Sequence, residues 1–173
     1  MVRAALPRQL SFLARLSVAH GLTFALFLLT LCSFSIPHTG QVRPFFLLMA
    51  IYYWSVFRPT LVPPSAAFGM GLLVDFLSGL PGGLTAGLLV AVQWIVRGQR
   101  RYLMGQSYVV LWTGFAMVAF GTAAAQWAVF GLLRLSWPPV EPILAGAGLS
   151  VLLFPPVVVV LQRVHRLLPD RAY

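Results

Sequence analysis

The chain has 173 residues, 60% of them hydrophobic and only 9% charged, where a soluble domain carries about 25% charged residues. A water-soluble fold of this length has too little polar surface to cover so much apolar content, and lipid is the solvent that removes the conflict. Net charge is +9, from twelve arginines and no lysine against Asp75, Glu141 and Asp170. The arginines fall in the gaps between apolar runs, which marks membrane topology and argues against a nucleic-acid-binding face.

In chain order, Arg3, Arg8 and Arg15 precede an apolar stretch, as in a signal peptide. No A-x-A-like cleavage site follows and further apolar runs do, so an uncleaved first helix is expected over 17–36, ending at Pro37-His38. Cys32 falls inside it and is expected to be a small buried hydrophobe; a single cysteine forms no intrachain disulfide, and Leu29-Thr30-Leu31 before it lacks the small residue of a lipoprotein cleavage site. The second span, 44–57, lies between Arg43 and Arg58, and its 14 uncharged residues are few against the roughly 20 a span needs. The third runs over 63–79 from Pro63-Pro64, and the fourth over 83–96, followed by a basic turn at 97–101. The fifth occupies 108–133. The sixth covers 142–162, with a kink or break expected at Pro155-Pro156. The expectation is an all-α polytopic protein: one transmembrane domain over 1–173 with six helices and both termini cytoplasmic.

Arginine placement fixes the orientation. With the amino terminus inside, the inner segments hold Arg3, Arg8, Arg15, Arg58, Arg97, Arg100, Arg101, Arg163, Arg166 and Arg171, and the outer loops hold only Arg43 and Arg134; inner loops of membrane proteins carry this excess. Merging the third and fourth spans would move Arg97, Arg100 and Arg101 outside. Tyr52, Tyr53, Trp54, Trp94, Tyr102, Tyr108 and Trp112 flank the inner arginines and are expected at the inner headgroup level, with Trp127 and Trp137 at the outer one.

Enzyme signatures are missing. His20, His38 and His165 are scattered, without the H-E-x-x-H spacing of an intramembrane metalloprotease, and one membrane aspartate does not hold Mg²⁺. Ser78 has no histidine near it in sequence and reads as a helix-packing residue. No catalytic residue, metal or cofactor is therefore expected. Asp75 is the only acid within an apolar run, near the outer end of the third span, and an ionised group there needs a partner or a function. Pairing with Arg43 or Arg134, acceptance from amides at the start of the fourth helix, a ligand or partner site, and proton coupling all remain open. Gly71, Asp75 and Gly79 share a face at four-residue spacing, and Gly79, Gly83 and Gly87 continue it across Leu80-Pro81-Gly82. Such small residues let helices approach closely, and packing of the third helix on the fourth is expected to use all four glycines, in preference to the alternative of dimerisation, because so short a turn joins the two spans. On the fifth helix, Gly114, Gly121 and Ala125 beside Trp112 and Phe115 form a candidate partner surface.

The segment 43–103 carries Ile51-Tyr52-Tyr53-Trp54, Arg58-Pro59, the run Phe68-Gly69-Met70-Gly71-Leu72-Leu73-Val74-Asp75-Phe76-Leu77-Ser78-Gly79-Leu80-Pro81-Gly82-Gly83, and the basic stretch 97–101. In this order it resembles the rod shape-determining MreD family over about a third of the chain; the rest agrees in hydropathy. The resemblance implies a non-enzymatic membrane component of the bacterial elongation machinery. It would bind the single-span scaffold MreC and help couple MreB filaments to a glycosyltransferase–transpeptidase synthase. It also implies a fold similar to the substrate-binding subunits of energy-coupling-factor transporters, so the alternative is a small-molecule-binding transporter subunit. The helix face those subunits present, A-x-x-x-A, has only a weak counterpart in Ala19-x-x-x-Thr23. Candidate structural or partner-binding positions are Tyr53, Trp54, Pro59, Gly71, Asp75, Gly79, Gly83 and Gly121. The topology is checked by cysteine labelling at Gln99, expected from the inner side; labelling from the outside overturns the six-span layout.

Overall fold

The structure, a computed structural model, describes residues 6–36, 40–135 and 137–167; of the residues singled out above, Arg3, Pro37, His38, Asp170 and Arg171 lie outside them. These residues form α1 (Leu6–Leu31), a short antiparallel hairpin of β1 (Phe34–Ile36) and β2 (Gly40–Val42), α2 (Phe46–Phe57), α3 (Pro64–Ser78), α4 (Leu84–Leu103), α5 (Tyr108–Arg134) and α6 (Glu141–Leu167). The fold is helical apart from the hairpin. α5 and α6 are long and apolar enough to cross a membrane; Ser17–Leu31 of α1, α2, α3 and Leu84–Gly98 of α4 are shorter apolar helices.

Three boundaries differ from expectation. The first helix stops at Leu31, because Ser33-Phe34-Ser35-Ile36 alternates polar and apolar with the period of a strand and pairs with Gly40–Val42. Cys32 is consequently exposed beyond the helix end instead of buried. The basic stretch 97–101 is helical, not a turn: Arg and Gln are good helix formers, and α4 continues to Leu103. α6 is continuous through Pro155-Pro156, so no break occurs there, and Phe154 and Val158 on either side of the pair are fully buried.

α2 is the hub. Its sequence, FLLMAIYYWSVF, is apolar on every side, the pattern of a helix surrounded by others, and Phe46 through Val56 are all buried. α1, α4, α5 and α6 pack around it, with α3 on the outside against α4 and α1. Tyr52 anchors the centre. Its ring meets Phe115 and Phe154 edge-on at 5.5 and 5.9 Å, those two rings stack at 4.2 Å, and its hydroxyl donates to the Leu111 carbonyl at 3.1 Å. A Cβ added at Gly114 would lie 2.7 Å from that hydroxyl, so α5 approaches α2 through a glycine.

The exterior is apolar, unlike that of a water-soluble bundle. Phe24, Leu28, Phe68, Leu73, Phe76, Leu77, Trp94, Met117, Phe120, Leu132 and Leu152 are exposed, while Thr23, Ser55, Asp75, Gln93 and Ser150 are buried.

α3 and α4 touch at Gly71, where an added Cβ would sit 2.5 Å from the Ala86 Cα. At Gly87 it would meet nothing within 4 Å, so that glycine, expected in the packing, faces outward. Gly71→Ala is therefore expected to lower the detergent melting temperature, with overpacking costing about 1–3 kcal/mol. Gly87→Ala is expected to hold or raise it, since alanine is the better helix former; thermal unfolding of the two variants side by side is the check.

Candidate functional site

The α3–α4 turn is organised by one residue. Gly79 ends α3 in the left-handed region at φ +67°. The Leu80 amide donates to the Asp75 carbonyl at 3.0 Å and the Gly79 amide to Phe76 at 3.5 Å, the paired bonds of a glycine-terminated helix. Gly83, at φ +95°, precedes the first residue of α4 and has no side chain to cap it. Asp75 supplies the cap from the neighbouring helix. One of its carboxylate oxygens accepts from the Gly83 amide at 2.9 Å and the Ala86 amide at 3.4 Å, and the other accepts from the Thr85 amide at 2.9 Å. Asp75 is 0% exposed. Its negative charge meets the positive end of the α4 dipole, and of the partners considered for it the amides are the ones it has. Gly79 and Gly83 thus serve backbone conformations, since an added Cβ at either meets nothing within 4 Å; their expected role in packing is not what the structure gives.

The same device recurs at α2. The Leu47 amide donates to Thr30 Oγ1 at 2.8 Å, and the Phe45 amide donates to Ser150 Oγ at 2.7 Å, so α1 and α6 cap its start. At its other end Arg100 Nε donates to the Val56 carbonyl at 2.8 Å. Arg97 holds the loop after it, donating to Pro59 at 2.7 Å and to Val62 at 2.9 Å, where Gln93 also donates at 2.7 Å. Pro59 therefore enters through its carbonyl. None of Thr30, Ser150 or Gln93 was singled out from the sequence, although each is a polar residue in an apolar run and so in need of a partner.

Tyr53 and Trp54 are buried in the bundle and, with Tyr52, do not form a headgroup belt. α2 is enclosed, so its rings face protein: Trp54 Nε1 donates to Thr23 Oγ1 at 3.0 Å, and Tyr53, Trp54 and Phe57 surround the His165 ring. Trp112 is likewise turned inward, donating to the Val151 carbonyl at 2.9 Å. Trp94, Tyr102 and Tyr108 are exposed as a belt requires. The α5 surface separates into two parts: Phe115 is fully buried and Gly114 abuts Tyr52, whereas Gly121 is exposed with open space around it. At the end of α5 that carries Arg134, Trp127 and Trp137 lie 4.6 Å apart, and Trp127 donates to the Pro138 carbonyl at 2.9 Å.

A cleft of about 30 Å³ between α1, α2, α4 and α5 is lined by Thr30, Leu47, Leu88, Leu89, Thr122 and Gln126 among others. It has room for a water or two. Among the described residues no three His, Cys, Asp or Glu side chains stand together. No family model, curated protein or solved structure matches the chain.

Asp75 is tested by two substitutions. Asp75→Asn keeps one acceptor and is expected to fold with a lowered melting temperature and partial function. Asp75→Leu strands the amides of Gly83, Thr85 and Ala86, each costing about 1–3 kcal/mol, and is expected to cut protein abundance. Equal abundance of the leucine variant and the wild type in membranes refutes the capping role.

Proposed function

We propose that the chain is a multi-pass protein of the bacterial plasma membrane, with six spans and both termini in the cytoplasm. It acts there as a non-enzymatic component of the rod-shape cell-wall synthesis machinery, of the MreD type. The observation that supports the membrane placement is the apolar exterior of the bundle, with Asp75, Gln93 and Ser150 buried and bonded to backbone. In water so large an exposed apolar surface is a liability; against lipid it is the required exterior.

The short α2 fits the same reading. Twelve residues rise about 18 Å, less than the roughly 30 Å hydrocarbon core. Lipid does not reach α2, however, and its terminal groups bond to neighbouring helices; non-helical backbone is tolerated at membrane depth when buried in protein.

The segment that resembles the MreD family also contains the residues the architecture depends on: Gly71 at the closest helix contact, Asp75 at the cap, Gly79 and Gly83 at left-handed turn positions, and Pro59 held by Arg97. Asp75 is thereby committed to the backbone, which favours a structural role over proton coupling or catalysis.

With the interior occupied by its own packing, the partner surface lies on the outside. The exposed stripe of α5 around Met117, Phe120 and Gly121 is the face proposed for the single-span MreC scaffold, through which MreB and the glycosyltransferase–transpeptidase pair would be reached. Contacts between helices in lipid depend on close packing at small residues. Gly121→Leu is therefore expected to reduce co-purification of MreC with little change in melting temperature. Gly79→Leu, which forces a leucine into a left-handed conformation at about 1–2 kcal/mol, is expected to lower the melting temperature. If Gly121→Leu lowers melting as much as Gly79→Leu, or leaves the yield of MreC unchanged, α5 is not the interface.

A further inference from the structure

Three helices, α2, α4 and α6, end at the same side of the bundle: Arg97 and Arg100 of α4 bond to carbonyls at the end of α2 and in the loop after it, and His165 of α6 packs on Tyr53, Trp54 and Phe57. Arg58, Arg97, Arg100, Arg101, Arg163 and Arg166 lie at this end, whereas Asp75 and Glu141, the described carboxylates, belong to the opposite one. Helix carbonyl ends favour cations, and Arg97 and Arg100 satisfy that demand directly. Arg101 does not: it is exposed, with no hydrogen-bond or ion-pair partner among the described residues.

Arg101 also has specific neighbours. Ala91, Trp94, Ile95, Arg101 and Tyr102 all lie on the exposed stripe of α4, with Trp94 80% and Tyr102 64% exposed. Seven residues of helix separate Trp94 from Arg101, a rise of about 10 Å. The headgroup layer of one leaflet is roughly 5–8 Å thick, and tryptophan settles at its border with the hydrocarbon. With Trp94 at that border the Arg101 backbone lies just beyond the headgroup layer. Its long side chain, directed back toward the helix start, returns the guanidinium to phosphate depth, as does the Tyr102 ring its hydroxyl. Ala91 and Ile95 lie on the acyl-chain side of them.

We infer that this face of α4 is a binding site for an anionic phospholipid of the inner leaflet, whose phosphate is held by Arg101 and Tyr102 and whose acyl chain lies along Ala91, Trp94 and Ile95. Charge complementarity selects the occupant: an unpaired cation in a field of five further arginines attracts anionic lipid over a zwitterionic one. The inference rests on the proposed membrane placement and is independent of the proposed partner.

The full chain, reconstituted in phosphatidylcholine vesicles, is titrated with phosphatidylglycerol brominated in its acyl chains and, separately, with brominated phosphatidylcholine. The quenching of tryptophan emission that is lost in Trp94→Phe reports this face. Brominated phosphatidylglycerol is expected to reach half-quenching at about a fivefold lower mole fraction. Arg101→Gln is expected to remove that preference, Arg101→Lys to retain it, and Arg134→Gln, at the opposite end, to leave it intact. Equal curves for the two lipids in the wild type, or a preference that survives in Arg101→Gln, overturn the site. Loss of the preference on adding inorganic phosphate assigns the site to a free anion and overturns the lipid. Quenching of Trp94 by neither lipid overturns the membrane placement itself.

Discussion

A helix leaves amides unbonded at its start and carbonyls unbonded at its end, and among apolar side chains no water completes them. The sequence makes this acute. α2 and α4 begin at Phe45 and Gly83, where a serine, threonine or aspartate would ordinarily cap the helix. The missing caps come from other helices: Thr30 and Ser150 for α2, Asp75 for α4, with Arg100 at the carbonyl end of α2. Each cap is also a tertiary contact, because the donor and the acceptor belong to different elements. The polar atoms that finish the secondary structure therefore also set the helix arrangement.

Asp75 concentrates this logic. Its carbonyl receives the terminal bond of α3 while its carboxylate receives the first amides of α4. A turn closed from both sides in this way fixes the approach of the two helices, and four residues earlier Gly71 lets their backbones meet at Ala86. Any larger residue at Gly71 would separate α3 from α4 and lengthen the bonds to Asp75, so the two positions depend on each other. An isolated carboxylate in an apolar run invites a functional explanation; three backbone donors converging on it supply a structural one.

Apolar runs and arginine punctuation made six helices legible, and the ends of α3 and α5 fell within a residue or two of the expected positions. The start of α4 as a partner for Asp75 was among the sequence's alternatives, because the Leu80-Pro81-Gly82-Gly83 turn is too short to carry the aspartate away from it. Other features were hidden for definable reasons. Hydropathy does not distinguish a lipid-facing helix from one surrounded by protein, so Tyr53 and Trp54 read as a headgroup belt when they are core. Spacing alone does not reveal which glycines touch a neighbour: Gly71, Gly79, Gly83 and Gly87 share one repeat and serve as a close contact, two left-handed turn positions and an open surface. Phe34–Ile36 was read as the end of the first helix and is a strand, because its pairing partner, Gly40–Val42, lies beyond Pro37 and outside the apolar run.

The division between inside and outside follows from these assignments. Thr30, Ser150, Asp75, Gln93, Arg97 and Arg100 are tied to backbone at both ends of α2, at the start of α4 and in the loop at Pro59 and Val62. Altering one of them disturbs a helix end, so the interior tolerates little functional change. The exposed faces are under no such constraint: Gly121, Gly87, Trp94 and Arg101 carry no intramolecular bond whose loss would loosen the bundle. The fold thus separates a bonded interior, where a substitution disturbs a helix end, from exposed helix faces where it does not.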